Sequence, residues 1–201
     1  PDQEAVPSRQ FDISKIDFEL LSREFAHTRR KNLLLRDLDE LVNQQLAKML
    51  FANPQRIDYY DRYQEIIDGY NAEQNRATIE KTFMDLMELA SSLDMEQQRY
   101  VREGFSSDEE LSVYDLLFSE NLTKQEIETI KKVSVDLLTK IKQQIAKLDH
   151  WTDKQETKAI VDNLIRNTLW QELPNSYDVS DIQTYQKKIY EYVYMRYPEV
   201  A

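Results

Sequence analysis

The chain has 201 residues, a net charge of −11, two glycines and no cysteine. These values exclude a disulfide framework and a thiolate metal site. They also leave no loop of the GxGxxG, GxxxxGK(S/T) or GxSxG kind, because such loops need glycine for close backbone approach to a ligand. The acidity is even, with 13 Lys+Arg against 19 Asp+Glu in residues 1–100 and 13 against 18 in residues 101–201, so the surface as a whole repels a phosphate backbone.

The elements follow in chain order. Residues 1–10 (PDQEAVPSRQ) lack periodicity, contain two prolines and read as a linker tail. The chain opens on Pro1 and not methionine, which reads as a piece of a longer protein. A helix is expected from near Ser14, with Phe18, Leu21 and Phe25 as its buried stripe. Arg29-Arg30-Lys31 interrupts it. A longer helix then carries Leu34, Leu38, Leu41, Leu46 and Met49 and stops at Asn53-Pro54, where Asn53 can cap and Pro54 suits a first helical turn. Segment 55–73 presents Ile57, Tyr60, Tyr63, Ile67 and Tyr70. The next stripe, Ile79, Phe83, Leu86, Ala90, Leu93 and Tyr100, is closed by Gly104 at the position of a C-terminal cap.

Three helix starts in the second half are spelled as capping boxes: Ser107 with Glu110, Thr123 with Glu126, and Thr152 with Gln155. They open a short helix (Leu111, Tyr114, Leu117, Phe118), a long one (Ile127, Ile130, Leu137, Ile141, Ile145) and a third (Ile160, Leu164, Leu169) that Pro174 ends. A last helix at about 179–196 presents Ile182, Tyr185, Ile189 and Tyr192 before Pro198. The fold class expected is all-α, an antiparallel bundle of about eight helices with short connections. Residues 11–201 form this helical domain, as one bundle or as two packed sub-bundles, 11–104 and 105–201. No fixed-period repeat points to a solenoid. No apolar stretch approaches the ~20 residues that span a bilayer, no membrane partner is expected, and the lack of cysteine makes the cytoplasm the default address.

Chemistry has few candidates. His27 and His150 are the only histidines and neither belongs to an HExxH or Glu-x-x-His motif, so no metal ligand is nominated. Pro1-Asp2 and Glu156-Thr157-Lys158 together have the residue types of a Mg²⁺-dependent nuclease site. However, the first sits in the tail and the second within a helix, where such a tripeptide is ordinary surface charge. No catalytic and no cofactor-binding residue is assigned. The one basic cluster is Arg29, Arg30, Lys31 and Arg36. It reads either as a contact for a phosphate backbone or an acidic partner, or as a solvated helix junction balanced by Asp37, Asp39 and Glu40. Twelve tyrosines are a heavy load for a core of this size. Adjacent ones such as Tyr59 and Tyr60 cannot both face inward, so Tyr59, Tyr63, Tyr190 and Tyr194 are candidate interface residues; packing on the domain's own helices is the alternative.

Certain strings carry a family resemblance: Lys15-Ile16-Asp17-Phe18, Lys31-Asn32-Leu33, Asn53-Pro54-Gln55-Arg56-Ile57, Tyr63-Gln64-Glu65-Ile66-Ile67 and Tyr70-Asn71. They continue through Ser106, Tyr114-Asp115-Leu116-Leu117, Leu122-Thr123, Val135-Asp136-Leu137-Leu138, Trp151, Ala159-Ile160-Val161, Leu173-Pro174 and Val193-Tyr194. In this order they resemble the C-terminal helical region of the R subunit, the motor and endonuclease subunit, of type I restriction enzymes, over residues 11–197. The resemblance implies a bacterial, cytoplasmic parent that is an ATP-dependent, DNA-translocating site-specific deoxyribonuclease. Such a parent has an N-terminal nuclease domain and two helicase-like motor lobes that use ATP and Mg²⁺. It implies that this region is a non-catalytic assembly domain with no cofactor of its own. The region would dock the motor onto the methylation and specificity subunits and touch the remaining domains of its own R subunit. The other reading within the same family is a DNA-contacting or coupling element that uses the basic cluster near residue 30 on duplex DNA. An unrelated hydrolase or a purely structural bundle is the reading outside the family.

Overall fold

The computed structural model describes residues 13–198, without the side chain of Ile13. The tail read at residues 1–10, including Pro1-Asp2, lies outside the described residues. Among the described residues there are nine α-helices, two 3-10 turns and no strand, so the chain is all-α. They fall into two compact units that divide after Gln98. The first holds α1 (Phe18–His27), α2 (Lys31–Ala52), α3 (Ile57–Ala72) and α4 (Arg76–Gln97). The second holds α5 (Arg99–Arg102), α6 (Asp108–Leu117), α7 (Lys124–Ile145), α8 (Gln155–Glu172) and α9 (Val179–Arg196).

In the first unit α4 packs against both α2 and α3. Its sequence places apolar side chains around most of its girth, and Phe83, Leu86, Leu89, Ala90 and Leu93 are all fully buried. A helix that is apolar on more than one side has to be enclosed by neighbours. α1 closes the unit by stacking Phe25 on Phe83, ring centroids 3.6 Å apart. Its start differs from the expected Ser14. A 3-10 turn (Ile13–Lys15) comes first, and the helix begins at Phe18, where the Asp17 carboxylate accepts the Leu20 amide at 2.9 Å.

The α2–α3 connection is the string Asn53-Pro54-Gln55-Arg56. Asn53 is fully buried and its side-chain oxygen accepts the Gln55 amide at 3.1 Å. Pro54 then opens a 3-10 turn (Pro54–Arg56) that leads directly into α3. Arg56 points inward, where its Nε donates to the Glu96 carboxylate of α4 at 3.0 Å, with both side chains under a tenth exposed. This ion pair joins the α2–α3 turn to the end of α4.

α4 ends at Gln97 and does not run on to Tyr100; a single turn, α5, follows. Gly104 closes that turn at φ +83°. The Phe105 amide reaches the Tyr100 carbonyl at 2.8 Å and the Gly104 amide reaches Val101 at 3.1 Å, the paired bonds of a left-handed helix cap. Gly104 thus lies inside the second unit, beyond its first turn.

In the second unit α6 packs on α7, α7 on α8, α8 on α9, and α9 back on α6, a closed four-helix ring. Thr123 and Glu126 form a reciprocal capping box at the start of α7. Ser107 caps α6, while Glu110 reaches back one residue further, to the Ser106 amide at 2.7 Å. The box expected at Thr152 is absent. α8 starts at Gln155 without a side-chain cap, because the chain first turns through His150 at φ 44° and buries Trp151. Thr157 serves that turn instead, donating to the Trp151 carbonyl at 2.7 Å. α9 has a capping box that the three earlier spellings did not include, Asp178 with Asp181.

Two predictions follow from the backbone and the buried pair. A Cβ on Gly69, mid-helix in α3, meets nothing within 4 Å, whereas one on Gly104 meets a left-handed backbone. Gly69→Ala is therefore expected to stabilise the chain by about 0.5–1 kcal/mol and Gly104→Ala to destabilise it by about 1 kcal/mol or more, read by urea unfolding. Arg56→Met takes the guanidinium away from the buried Glu96 carboxylate and is expected to cost about 3–5 kcal/mol, with most of the loss recovered when Glu96→Leu is added.

Candidate functional site

The basic cluster lies in the first unit, where α1 hands over to α2. Thr28 ends α1 in extended backbone, and Arg29 and Arg30 form the turn. α2 starts at Lys31 with Arg30 in the capping position and no side-chain cap. The first turn of α4 comes alongside and adds Arg76. Thr28, Arg29, Arg30, Lys31, Asn32, Leu33, Arg76 and Ile79 together line an open cavity of about 690 Å³. Arg29 and Arg30 are exposed and have no carboxylate partner among the described residues. Lys31 and Arg76 share one, Glu80, at 2.6 and 3.2 Å. The hydrogen bonds from Lys31 and then Arg76 hold the Glu80 carboxyl below its usual range. The Lys31 ammonium also sits 4.8 Å from the centre of the Phe25 ring, which anchors its stem on the core. Arg36 stands apart. It is exposed along α2, 3.7 Å from Asp37, and does not line the cavity. The structure therefore brings together three of the four residues of the sequence cluster and adds Arg76, which only the packing of α2 and α4 places there.

The tyrosines separate by burial. Tyr63 is only 6% exposed, and its hydroxyl donates to Asp39 of α2 at 2.7 Å, so it belongs to the interior of the first unit and not to a free surface. Tyr59 is half-buried against the same core, and Tyr60 is the outward ring of that helix. In the second unit Trp151 is buried and donates its indole N–H to the Tyr197 carbonyl at 2.6 Å. Tyr190 and Tyr194 of α9 meet its edge at centroid distances of 6.1 and 5.7 Å. Tyr190 is half-buried. Tyr194 is 39% exposed, and Lys158 of α8 lies 5.8 Å from its ring centre. Beside it in sequence, Met195 is 70% exposed, and Ile160 on the first turns of α8 is 42% exposed. Glu156 and Lys158, the surviving half of the nuclease-like spelling, lie on this same exposed start of α8. No group of three or more His, Asp or Glu side chains suited to a metal ion occurs among the described residues, and no helix there is long and apolar enough to cross a membrane.

A family model described as the C-terminal region of type I restriction enzyme HindI endonuclease subunit-like proteins matches residues 4–197. The chain belongs to this family. Comparison with curated proteins and with solved structures returned no match. Most of the strings that carry the resemblance to restriction-enzyme R subunits turn out to hold the frame of this C-terminal region. Asn53 and Arg56 fix the α2–α3 turn, Tyr63 ties α3 to α2, and Asp115 of α6 pairs with Arg99. Thr123 caps α7, and Trp151 locks the α7–α8 turn to the end of α9.

Burial raises the ionisation of Tyr63, Tyr177, Tyr192 and Tyr197 above the ordinary phenol range, and the bond to Asp39 adds to it at Tyr63. A phenol whose folded-state pKa exceeds its unfolded value contributes its full stability below pH of about 10 and loses it as pH rises beyond. Alkaline titration is therefore expected to release part of the phenolate absorbance in one step together with the loss of helical circular dichroism. Tyr177→Phe should shrink that step.

Proposed function

We propose that this C-terminal region is an assembly domain, one that docks a type I restriction endonuclease subunit onto the methylation and specificity subunits. The observation that carries the reading is the family match over nearly the whole chain, joined to apolar side chains turned outward on the helices of the second unit. Tyr194, Met195 and Ile160 stand at the adjoining ends of α9 and α8, where the Lys158–Tyr194 contact brings the two helices together. Aromatic and methionine side chains are enriched in protein–protein contacts, where a ring seated on a rigid base loses little freedom on binding. Tyr194 has such a base in Trp151. In this reading the parent's ATP and Mg²⁺ chemistry lies in other parts of the subunit, and this domain sets where the motor is held.

The test is co-migration of the 201-residue chain with a purified methylation–specificity core in gel filtration or calorimetry. Binding is expected, and Met195→Asp combined with Ile160→Asp should weaken it at least tenfold, about 1.4 kcal/mol, without lowering the thermal midpoint. A folded chain that forms no complex on the order of tens of micromolar would sink the reading.

A further inference from the structure

We propose that the outward face of α8 is a contact for a second copy of this chain, with two α8 helices packed antiparallel about a two-fold axis level with Ile165. The contact needs no other protein and does not depend on the docking reading.

α8 turns Val161, Ile165, Thr168 and Leu169 into the second unit, where it packs on α7 and α9. On its opposite side Ile160, Asn163, Asn167 and Trp170 are all exposed, at steps of three, four and three residues. That is the a/d spacing along which one helix receives another. Trp170 is 49% exposed, whereas the other tryptophan, Trp151, is buried. Charge has been cleared from the same face. Among the exposed residues of 159–171 there is no carboxylate and one cation, Arg166, in a chain with 37 acidic residues. The nearest carboxylates are half-buried and tied to neighbouring helices: Asp162 accepts from Gln186 of α9 at 2.9 Å, and Glu172 pairs with Lys140 of α7 at 2.6 Å. Copies that each carry a charge of −11 repel, so they can meet only where the surface is free of acid.

The pattern also selects the occupant. Steps of three, four and three read the same in both directions, and so does the chemistry, apolar ends around two amides. In an antiparallel pair centred on Ile165, Ile160 of one copy faces Trp170 of the other, and Asn163 faces Asn167. Every contact then occurs twice, as an isologous interface requires. An amide both donates and accepts, so each facing pair of asparagines satisfies itself. Asparagine on such a seam fixes register and costs stability. The seam is also small, about 15 Å long and one helix wide, and covers far less than the roughly 800 Å² a side of a standard interface. The dimer is therefore weak and reversible, with a dissociation constant on the order of 100 μM. Arg166 of each copy flanks the axis, a like-charge pair in open water that salt screens.

The experiment is sedimentation equilibrium of the whole chain from about 10 μM to about 1 mM, at low salt and at about 0.5 M salt. A monomer–dimer equilibrium is expected, tighter at high salt because screening relieves the repulsion between acidic copies. Trp170→Ala should weaken it at least tenfold. Asn167→Asp, which puts acid on the seam, should do the same, and Arg166→Gln should leave it equal or tighter. Orientation is read with introduced cysteines, since the chain has none of its own. Ala159 and Gln171 stand level in an antiparallel pair, whereas the two copies of either residue lie about 18 Å apart along it. A mixture of Ala159→Cys and Gln171→Cys chains should therefore crosslink with a short bismaleimide, and each chain alone should not. Met195→Asp should leave self-association intact while weakening the docking contact, so the two readings fail separately. A chain that stays monomeric at about 1 mM in high salt overturns the contact. So does a dimer that Trp170→Ala leaves unchanged, or one that loosens as salt rises. A monomeric chain whose binding to the methylation–specificity core is lost in Trp170→Ala would give the face to that partner and equally overturn it.

Discussion

Every helix start leaves amides without partners inside the helix, and a chain this poor in glycine and proline has to close them with side chains. That constraint organises both units. Asp17, Asn53, Asn75, Ser107, Thr123 and Asp178 each place an oxygen on an amide two or three residues ahead. Each such bond is worth about 0.5–2 kcal/mol, and each fixes the direction in which its helix leaves the turn. With directions set, the apolar faces meet: α4 between α2 and α3 in one unit, and the ring of α6 to α9 in the other. The helices that start without such a cap stand out against this background. At α8 the reason is visible, since Trp151 is pulled into the core just before the helix begins. At α2 the Arg30 amide instead finds the Thr28 hydroxyl at 3.0 Å, and Lys31 pairs with Glu80 of α4.

Much of this was legible from residue order alone. Helical periodicity needs only local spacing, so α2, α3, α7 and α9 are found close to where their stripes put them. Asn53-Pro54, Gly104 and the Thr123–Glu126 box announce themselves because cap chemistry is confined to a few neighbouring residues. What escapes is whatever depends on contact between distant segments. Thr152 has the spelling of a cap but loses to the burial of Trp151, whose indole partner is the carbonyl of Tyr197. Tyr63 and Tyr60 are one turn apart in a helix rich in tyrosine, and only Asp39 on a different helix decides which ring turns inward. Arg76 is invisible as a member of the basic cluster, because nothing near it in sequence is basic except Lys81. Only packing of α2 beside α4 brings it to the cavity.

The tyrosine load has a structural use that composition does not disclose. A buried tyrosine fills core volume like phenylalanine while its hydroxyl ties one element to another. Tyr63 reaches Asp39, and Tyr177 donates to the Leu117 carbonyl at the end of α6, at 2.8 Å. Tyr192 and Tyr197 instead meet edge to face at 6.2 Å, and burial pushes the ionisation of both further above the ordinary phenol range. The two hydroxyl bonds of Tyr63 and Tyr177 fix particular pairings in the core where a purely aliphatic one would tolerate sliding between helices. Outward rings such as Tyr194 are then the remainder, supported from beneath and free on one side.

The two surfaces differ in the physics that would make them selective. An apolar contact around Tyr194 and Met195 gains from area removed from water and is nearly indifferent to salt. The cations at the start of α2 act through charge, within a Debye length of roughly 8 Å at physiological salt. An even excess of acid elsewhere on the chain does not cancel them at that range. It acts over the surface as a whole, so the net charge of the chain and the charge at one cavity are separate quantities. Average composition does not report the local balance, and at this cavity four cations face one carboxylate.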